Sequence, residues 1–349
     1  MLSLFNKLFP IHRSILGPGI RQSLEIIADY VKILKIKKIK SGTQVFDWKV
    51  PNEWHIEDAY ILTPKGKKIC DIKKNNLHLM SYSIPVNRTI SYFDLKKKLI
   101  FNKKQPSAIP YATSYYKKDW RFCISYNEFK KLDKKGKYRV VIKSKFLKGY
   151  LNYGEAFIKG RSKKEFFFST YICHPSMANN ELSGPIVMAN LINEIKKKKL
   201  HYSYRFVIIP ETIGSIAYIS KNLKKMKKNI SQGINISCVG DERCYSFLPA
   251  RNADYLINKI GKKVISKKKK HKIYSWLNRG SDERQYCWPN IDLPIISIMR
   301  SKYGTYKEYH TSLDRFGKVV TLNGLKGSLN TLLEIIEIVE NNYYPLTNV

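Results

Sequence analysis

From about residue 136 onward, short apolar runs alternate with segments whose apolar residues recur at every third or fourth position. Runs of four to eight apolar residues are typical of buried strands, whereas a spacing of three and four is typical of helices that bury one face. Because strands and helices alternate along this part of the chain, the pattern predicts an α/β fold with a mostly parallel sheet flanked by helices. The predicted strands are KYRVVIKS, EFFFSTYIC, YRFVIIP, INISCVG and PIISIM, and the predicted helices are GPIVMANLINEIKKKK, SIAYISKNLKKMKK, ADYLINKIGKKVI and LKGSLNTLLEIIEIVENN.

The first third of the chain has a different pattern. Residues 20–34 follow Gly17-Pro18-Gly19 and have helical spacing of apolar positions. Residues 39–135 instead contain short β-branched and aromatic runs separated by turn residues, such as AYILTPKGKKICDI and LHLMSYSIPV. This segment therefore predicts a small β-rich domain.

The composition is that of a globular protein with a large positive charge. The 349 residues are 43% apolar, and the formal net charge is +37. Such charge is typical of nucleic-acid-binding proteins, but most of it comes from lysine spread along the chain, and base readout relies on arginine forks. We therefore predict a solvated basic surface and no specific nucleic-acid partner, with polyanion binding as an alternative.

The six cysteines form no CxxC pair, and several lie in apolar runs. This usage predicts reduced, buried thiols and a cytoplasmic location. The apolar N-terminus is interrupted by Lys7 and Pro10 and does not resemble a signal peptide. No uncharged stretch approaches the ~20 residues of a membrane helix, so no membrane span is expected.

Candidate chemistry follows the predicted strands. In open α/β sheets, ligands bind beyond the carboxyl ends of the strands. Histidine and carboxylate side chains accept zinc, which activates a bound water, and a nearby carboxylate can take a proton from that water. The pattern thus predicts metal-assisted amide hydrolysis by residues at one edge of the sheet: His174, Glu181, Glu211, Asp241 and His310.

Several longer motifs carry a family resemblance, among them LFPIHRSILGPGIR, IPYATSYY, HPSMANNELSGP, PETIGS, GSDERQYCWP and YHTSLD. The chain resembles the zinc-aminopeptidase fold shared by bacterial leucyl aminopeptidases and glutaminyl cyclase. More closely, it resembles an aminopeptidase-like family found beside polysaccharide-biosynthesis genes. The resemblance implies a catalytic domain of residues 1–38 and 136–349, with residues 39–135 inserted as a lid over the site.

The same resemblance implies roles for individual residues. His174, Asp241 and His310 would be zinc ligands, and Glu181 would supply the carboxylate that the peptidases carry as Asp at position 180. Glu211 would be the general base. Thr212 stands where the peptidases carry a second Glu, and Asp314 would orient His310. Losing two carboxylates favours a single zinc ion over a pair, although one or two ions both remain open.

A second polar cluster lies in residues 281–286. It would hold the substrate or form a salt-bridged turn. Arginine pairs bidentately with carboxylates, so a substrate carboxylate would be bound by side chains from this cluster and the preceding loop. The candidates are Arg243, Arg251, Arg284 and Tyr286.

The sequence therefore predicts a zinc-dependent, aminopeptidase-type hydrolase acting on a peptide or small amide, with a role in surface-polysaccharide biosynthesis. The alternative is a metal-binding recognition module that does not hydrolyse its ligand. A homo-oligomer is left open.

Overall fold

The computed structural model describes residues 1–342 of the chain. Its strands in chain order are β1 (Lys35–Lys40), β2 (Gln44–Val45), β3 (Trp48–Lys49), β4 (Glu53–Leu62), β5 (Lys68–Ile69), β6 (Val86–Ser91), β7 (Leu99–Ile100), β8 (Phe122–Cys123), β9 (Lys137–Leu147), β10 (Tyr150–Ile158), β11 (Glu165–Tyr171), β12 (Ser203–Ile209), β13 (Ile230–Ile236), β14 (Tyr245–Leu248), β15 (His271–Ile273) and β16 (Ile295–Met299). Its α-helices are α1 (Leu2–Leu8), α2 (Pro18–Tyr30), α3 (Tyr92–Lys97), α4 (Tyr126–Phe129), α5 (Ser183–Ile195), α6 (Ile213–Asn229), α7 (Leu256–Ser266), α8 (Glu283–Tyr286) and α9 (Leu322–Glu340).

The main sheet has eight strands in the order β1-β10-β12-β11-β13-β16-β14-β15. Its centre is parallel, since β11 pairs in parallel with β12 and β13, and β13 pairs in parallel with β16. Antiparallel pairings occur toward both edges, where β10 joins β1 and β12, and β14 joins β16. The predicted α/β fold is confirmed, and the four predicted strands in the parallel centre are present.

The centre of the sheet is buried on both faces. Every residue of β11 and β12 is buried, as expected for parallel strands covered by helices on each side. Within one helical layer, α9 packs against both α5 and α7. This rigid centre fixes the direction of the loops that leave its carboxyl edge.

The edge strand β1 was missed by the sequence pattern. Its sequence, KIKKIK, is mostly exposed and buries one isoleucine, Ile39. Lysines are favoured on an edge strand because their charge prevents pairing with another chain. The lysine-rich sequence therefore gives no strand pattern. The neighbouring strand β10 was not predicted from the sequence either.

A second, smaller sheet has four strands in the order β5-β4-β9-β6. The sequence pattern placed the strand at residues 137–144 in the α/β sheet, and this placement is wrong, because β9 pairs with β4 and β6. The smaller sheet has its own apolar core, which includes Trp54, Phe122 and Tyr138. Its strands extend to Leu147, beyond the boundary at residue 135. That this segment is an inserted lid domain stays a prediction.

The loop between β11 and α5 carries the first predicted site residue. A π-helical turn, Ala178–Leu182, leads directly into α5. At Gly184 a Cβ atom would lie 2.2 Å from Thr170 Oγ1 and 2.9 Å from the carbonyl oxygen of Ile236. Glycine is therefore required for the start of α5 to pack against the carboxyl ends of the strands.

Among residues 1–342, no helix combines the length and the apolar character that crossing a membrane would require.

Candidate active site

His174 lies just beyond the carboxyl end of β11 and is 5% exposed. Its Nδ1 atom is 2.7 Å from Oε2 of Glu181. Its other ring nitrogen, Nε2, is 3.6 Å from Oε2 of Glu211. Because an ionised carboxylate only accepts hydrogen bonds, Nδ1 carries the proton toward Glu181. In the neutral ring, Nε2 then has a free lone pair on the side of Glu211.

Glu181 has a second partner, the fully buried Arg13. Arg13 Nε is 3.5 Å from Glu181 Oε1 and donates a 2.9 Å hydrogen bond to the carbonyl oxygen of His174. Burial lowers the pKa of Arg13, while the charge of Glu181 opposes that shift. Glu181 is therefore the charge partner of Arg13 and the hydrogen-bond partner of His174. Its predicted role as a metal ligand does not fit these contacts.

His310 reaches the same edge from the long loop after β16. Its ring centroid is 5.4 Å from that of His174, and its Nε2 atom is 3.0 Å from Oδ1 of Asn180. The ring stacks on Tyr309 with centroids 3.9 Å apart. Burial first, and then the charge of His174, lower the pKa of His310 to about 3. The ring is therefore neutral at physiological pH, which is the form that binds metals.

Glu211 follows β12 directly, and its side chain is 22% exposed. The Ser281 hydroxyl donates a 2.5 Å hydrogen bond to Oε1, which leaves Oε2 on the side of His174. Burial raises the pKa of Glu211, although the His174 charge and the Ser281 hydrogen bond act in the opposite direction.

The residue after Glu211 holds an unusual backbone conformation. Thr212 has φ 63°, a region that residues with a branched Cβ rarely adopt. The Thr212 amide donates a 2.6 Å hydrogen bond to Oδ1 of Asp282, and the Ser215 hydroxyl donates a second bond to the same oxygen at 2.9 Å. Burial, followed by the charge of Glu211, raises the pKa of Asp282 to about 8. Asp282 thus anchors the turn that aims Glu211.

Asp241 is fully buried and has no exposed surface. Its Oδ1 accepts hydrogen bonds from the Arg243 amide and the Ser301 hydroxyl, both at 2.9 Å. Its Oδ2 accepts bonds from Asn179 Nδ2 at 3.1 Å and the Ser301 amide at 2.9 Å. These four bonds use the acceptor capacity of the carboxylate. Asp241 therefore ties two loops together, and its predicted role as a zinc ligand does not fit this position.

Asp314 has a similar anchoring role. Its two oxygens accept hydrogen bonds from the amides of Asn179 and Asn180, at 2.8 and 2.9 Å. The Tyr306 hydroxyl donates to it at 3.1 Å. It therefore fixes the loop that carries Asn180. Asn180 in turn contacts His310, so the orientation of His310 by Asp314 stays a prediction.

Three of the four predicted substrate-binding residues are engaged by protein partners. Arg243 pairs with Glu308 through two hydrogen bonds of 2.8 and 3.1 Å, and Arg251 pairs with Asp292. Tyr286 is fully buried, with its hydroxyl 2.8 Å from Ser169 Oγ, so a role in binding substrate does not fit.

Arg284 is the fourth predicted substrate-binding residue, and it adjoins the site. Its Nη2 lies 3.5 Å from Thr212 Oγ1. Its Nε is buried without a hydrogen-bond partner in the described chain.

Two residues near the histidines, Arg13 and Tyr111, were not predicted as site residues from the sequence. The Tyr111 ring lies 4.9 Å from the His174 ring and 5.1 Å from the His310 ring, measured between centroids. The Tyr111 amide donates a 2.8 Å hydrogen bond to the His310 carbonyl oxygen. Both residues lie in motifs that carry the family resemblance, HRSI and IPYATSYY, and this was their only signal in the sequence.

The resemblance implies a zinc ion, which would need several His, Cys, Asp or Glu side chains close together. Among residues 1–342, one group of three His, Cys, Asp or Glu side chains has all its ligand atoms within 4.8 Å of one another: Cys173, His174 and Glu181. Glu181 of this group faces the Arg13 charge, so as a ligand its carboxylate would be shared between that guanidinium and the metal ion.

The chemistry on the other side of His174 fits better. Burial lowers the pKa of His174, but Tyr111, Cys173 and Glu181 raise it well above its ordinary value, so a zinc ion would have to displace the Nε2 proton of this ring. The imidazoles of His174 and His310 are donors that zinc accepts, and the Glu211 carboxylate lies beside them. The set offers no second cluster of carboxylates, since Asn180 and Thr212 are neutral. The donor types therefore suit one ion, although the structure does not bring the ligand atoms of His174, His310 and Glu211 within 4.8 Å of one another.

Comparison with known proteins places the chain in a family. Residues 2–342 match the family model described as Domain of unknown function (DUF4910). The chain belongs to the DUF4910 family. A relative from Clostridium acetobutylicum, named "Putative polysaccharide biosynthesis protein with aminopeptidase-like domain", is 44% identical over 341 residues, which are 97% of this chain and 77% of the relative.

Solved structures agree with the fold of this DUF4910 chain. A crystal structure of a "putative peptidase" from Clostridium acetobutylicum has a TM-score of 0.93 at 43% identity and covers 97% of this chain and 80% of that one. The zinc aminopeptidase BSAP from Bacillus subtilis has a TM-score of 0.66 at 14% identity, covering 96% and 93%. The aminopeptidase-like resemblance is confirmed, and the second structure shows that the likeness extends to the fold of a zinc aminopeptidase.

Proposed function

We propose that this chain is a peptidase-type hydrolase that cleaves an amide bond in a peptide or small amide, with Glu211 as the general base. The observation that supports this most is the arrangement of the Glu211 carboxylate. Ser281 holds one oxygen, and the other oxygen lies 3.6 Å from His174 Nε2 with no hydrogen-bond donor recorded on it in the described chain. A carboxylate held in this way can accept a proton from an attacking water.

One zinc ion would be held by His174 and His310, and when bound it would lower the pKa of its water and polarise the scissile carbonyl. Glu211 Oε2 takes the proton of the attacking water and later gives it to the leaving amine. Glu181 keeps the proton on His174 Nδ1, so that Nε2 stays available. The rings of Tyr111 and Tyr309 flank the histidines and limit the access of bulk water.

The name of a relative and the position of Arg284 support a proposal for the substrate class. The Clostridium acetobutylicum relative is described as a polysaccharide biosynthesis protein with an aminopeptidase-like domain. We extend the proposal to an amide on a modified sugar or peptide used in surface-polysaccharide assembly. Arg284, whose Nε is buried without a partner, is the residue that would bind an acidic group on such a substrate.

A second candidate function is a metal-binding recognition module that does not hydrolyse its ligand. Asn180 and Thr212 bring no carboxylate, and Asp241 is occupied by four hydrogen bonds. With only two imidazole ligands the site would hold zinc weakly, since catalytic zinc sites usually have three protein ligands.

The test is turnover of an aminoacyl-4-nitroanilide and of an N-acyl amino sugar by the zinc-loaded chain. Glu211→Gln should lower turnover by about 10²- to 10⁴-fold, because an amide cannot accept the proton. Glu194→Gln is the matched control, since Glu194 is an exposed residue of α5 and should have no effect. Wild-type turnover by Glu211→Gln would overturn the proposal. A zinc-loaded wild type that binds these amides without hydrolysing them would support the recognition module.

A further inference from the structure

A large cavity lies far from the histidines. It has a volume of about 790 Å³ and is lined by residues near the end of β10, the start of β11 and β12, and the end of α6. His174 follows the opposite end of β11. Seven strand residues at about 3.3 Å each separate the two ends by roughly 20 Å. This cavity is therefore distinct from the candidate active site.

Six basic side chains line the cavity, which we name the basic groove: Lys159, Arg161, Lys163, Lys224, Lys225 and Lys228. None of the six forms an ion pair with residues 1–342, where the ion pairs are made by other lysines and arginines. Residues 343–349 contain no Asp or Glu. Within residues 1–342, therefore, no carboxylate forms an ion pair with these six side chains.

One acidic residue, Glu165, also lines the groove, and it is paired with Arg205. Its carboxylate accepts hydrogen bonds from Arg205 at 2.5 and 2.9 Å, and Asn229 donates to it at 3.3 Å. Arg205 also pairs with Glu155 and lies over the ring of Phe157 at 4.8 Å. Arg205, Glu155 and Glu165 together carry one net negative charge, so the six unpaired cations still make the groove strongly positive.

The concave shape restricts the ligand. Charges that converge on a cavity focus their field and attract a compact anion more strongly than the same charges spread over a flat face. Ammonium groups act as point charges and bind phosphate without requiring a planar partner. A volume of about 790 Å³ lies within the range of roughly 300–1,000 Å³ found for small-molecule sites. A double helix would contact only the rim of such a cavity.

We propose that the basic groove binds a small molecule carrying two or more linked phosphates. The exposed side of Phe157, which is 43% exposed at the rim, offers an apolar surface for the organic part of such a ligand. This site is independent of the proposed hydrolase function, because it shares no residue with the histidine site.

The test uses the full chain and isothermal titration calorimetry with inorganic tripolyphosphate and, separately, monophosphate. The groove variant is Lys224→Ala, Lys225→Ala and Lys228→Ala together, because all three lysines are exposed on α6 and alanine preserves helix propensity. The matched control is Lys134→Ala, Lys135→Ala and Lys137→Ala, which removes the same charge from exposed positions at and just before β9 of the smaller sheet.

Wild type should bind tripolyphosphate at least about tenfold more tightly than monophosphate, and the groove variant should lose at least about tenfold in affinity. The control should stay within about twofold of wild type, because its lysines lie outside the groove. Equal losses in both variants would overturn the proposal, because the net charge alone would explain the binding. No binding by wild type would also overturn it.

Two other polyanions distinguish the alternatives. A short DNA duplex and phosphatidylglycerol vesicles should bind the groove variant and the control variant equally. If the groove variant selectively lost DNA or vesicle binding and kept its affinity for tripolyphosphate, the groove would be a macromolecular interface and the proposal would be wrong.

Discussion

Oε2 of Glu181 lies 2.7 Å from Nδ1 of His174, so the seven-residue spacing between them closes a hydrogen bond inside one loop. The bond fixes the tautomer of the histidine and directs its second nitrogen toward Glu211. The other oxygen of Glu181 faces the buried Arg13. One carboxylate therefore orients the histidine and neutralises an internal cation.

Replacing Glu181 with Gln should destabilise the chain by about 3–5 kcal/mol, because Arg13 would be left as an uncompensated buried charge. Urea unfolding at neutral pH measures the change. The double variant Arg13→Met with Glu181→Gln should lose less stability than the sum of the two single variants, since neither charge remains. Strict additivity would mean that the two side chains do not interact.

Metal binding should depend on the two histidines and not on Asp241. Elemental analysis after zinc loading should give about one zinc per chain for wild type, and none for His174→Ala or His310→Ala, since each supplies an imidazole ligand. Asp241→Asn should retain the metal and lose about 1–3 kcal/mol of stability, because one of its oxygens becomes a donor facing other donors. Loss of zinc in Asp241→Asn would show that Asp241 is a zinc ligand.

Ser281→Ala should lower kcat by about tenfold and leave the zinc content unchanged, because it frees the Glu211 carboxylate to rotate without removing a donor from the metal. Steady-state kinetics on the hydrolysed amide provides the measurement. In the Glu211→Gln background the same serine substitution should have no further effect. A tenfold loss in both backgrounds would place Ser281 in substrate binding instead.

The parallel centre of the fold could be predicted because each strand there is a continuous apolar run. β11 and β12 are buried on both faces, so their sequences contain few of the polar residues that hide a strand. The edge strand β1 could not be predicted in the same way. Its single buried residue among lysines gives no periodic signal.

The residues of the candidate site that lie next to apolar strands could also be predicted from the sequence. His174 and Glu211 follow apolar strands directly, and position alone indicated both. Asp241 also follows a strand, but the sequence could not show that its oxygens are taken by Ser301, Asn179 and a backbone amide. Arg13 reaches His174 from 161 residues away in the chain, and no local pattern indicates such a contact.

The last prediction concerns His12, whose Nε2 atom is buried without a hydrogen-bond partner in the described chain. Its ring packs edge-on against Trp54, with centroids 5.7 Å apart. Burial first, and then the neighbouring Arg13 charge, lower the pKa of His12 to about 4 from its ordinary value of 6.5. The unfolded chain therefore binds a proton at this residue more readily than the folded chain does.

The stability that the neutral His12 contributes should be fully present above about pH 6.5 and lost as the pH falls toward about 4, because the unfolded state takes up the proton within that window. The loss should be on the order of 2 kcal/mol, since one pKa unit corresponds to about 1.4 kcal/mol and the ring keeps some exposure. His12→Gln cannot titrate, so urea unfolding across this range should show a smaller decline for the variant. The difference between the two chains isolates His12 from His78, whose pKa burial also lowers. Parallel stability curves for wild type and variant would show that His12 is protonated equally in both states.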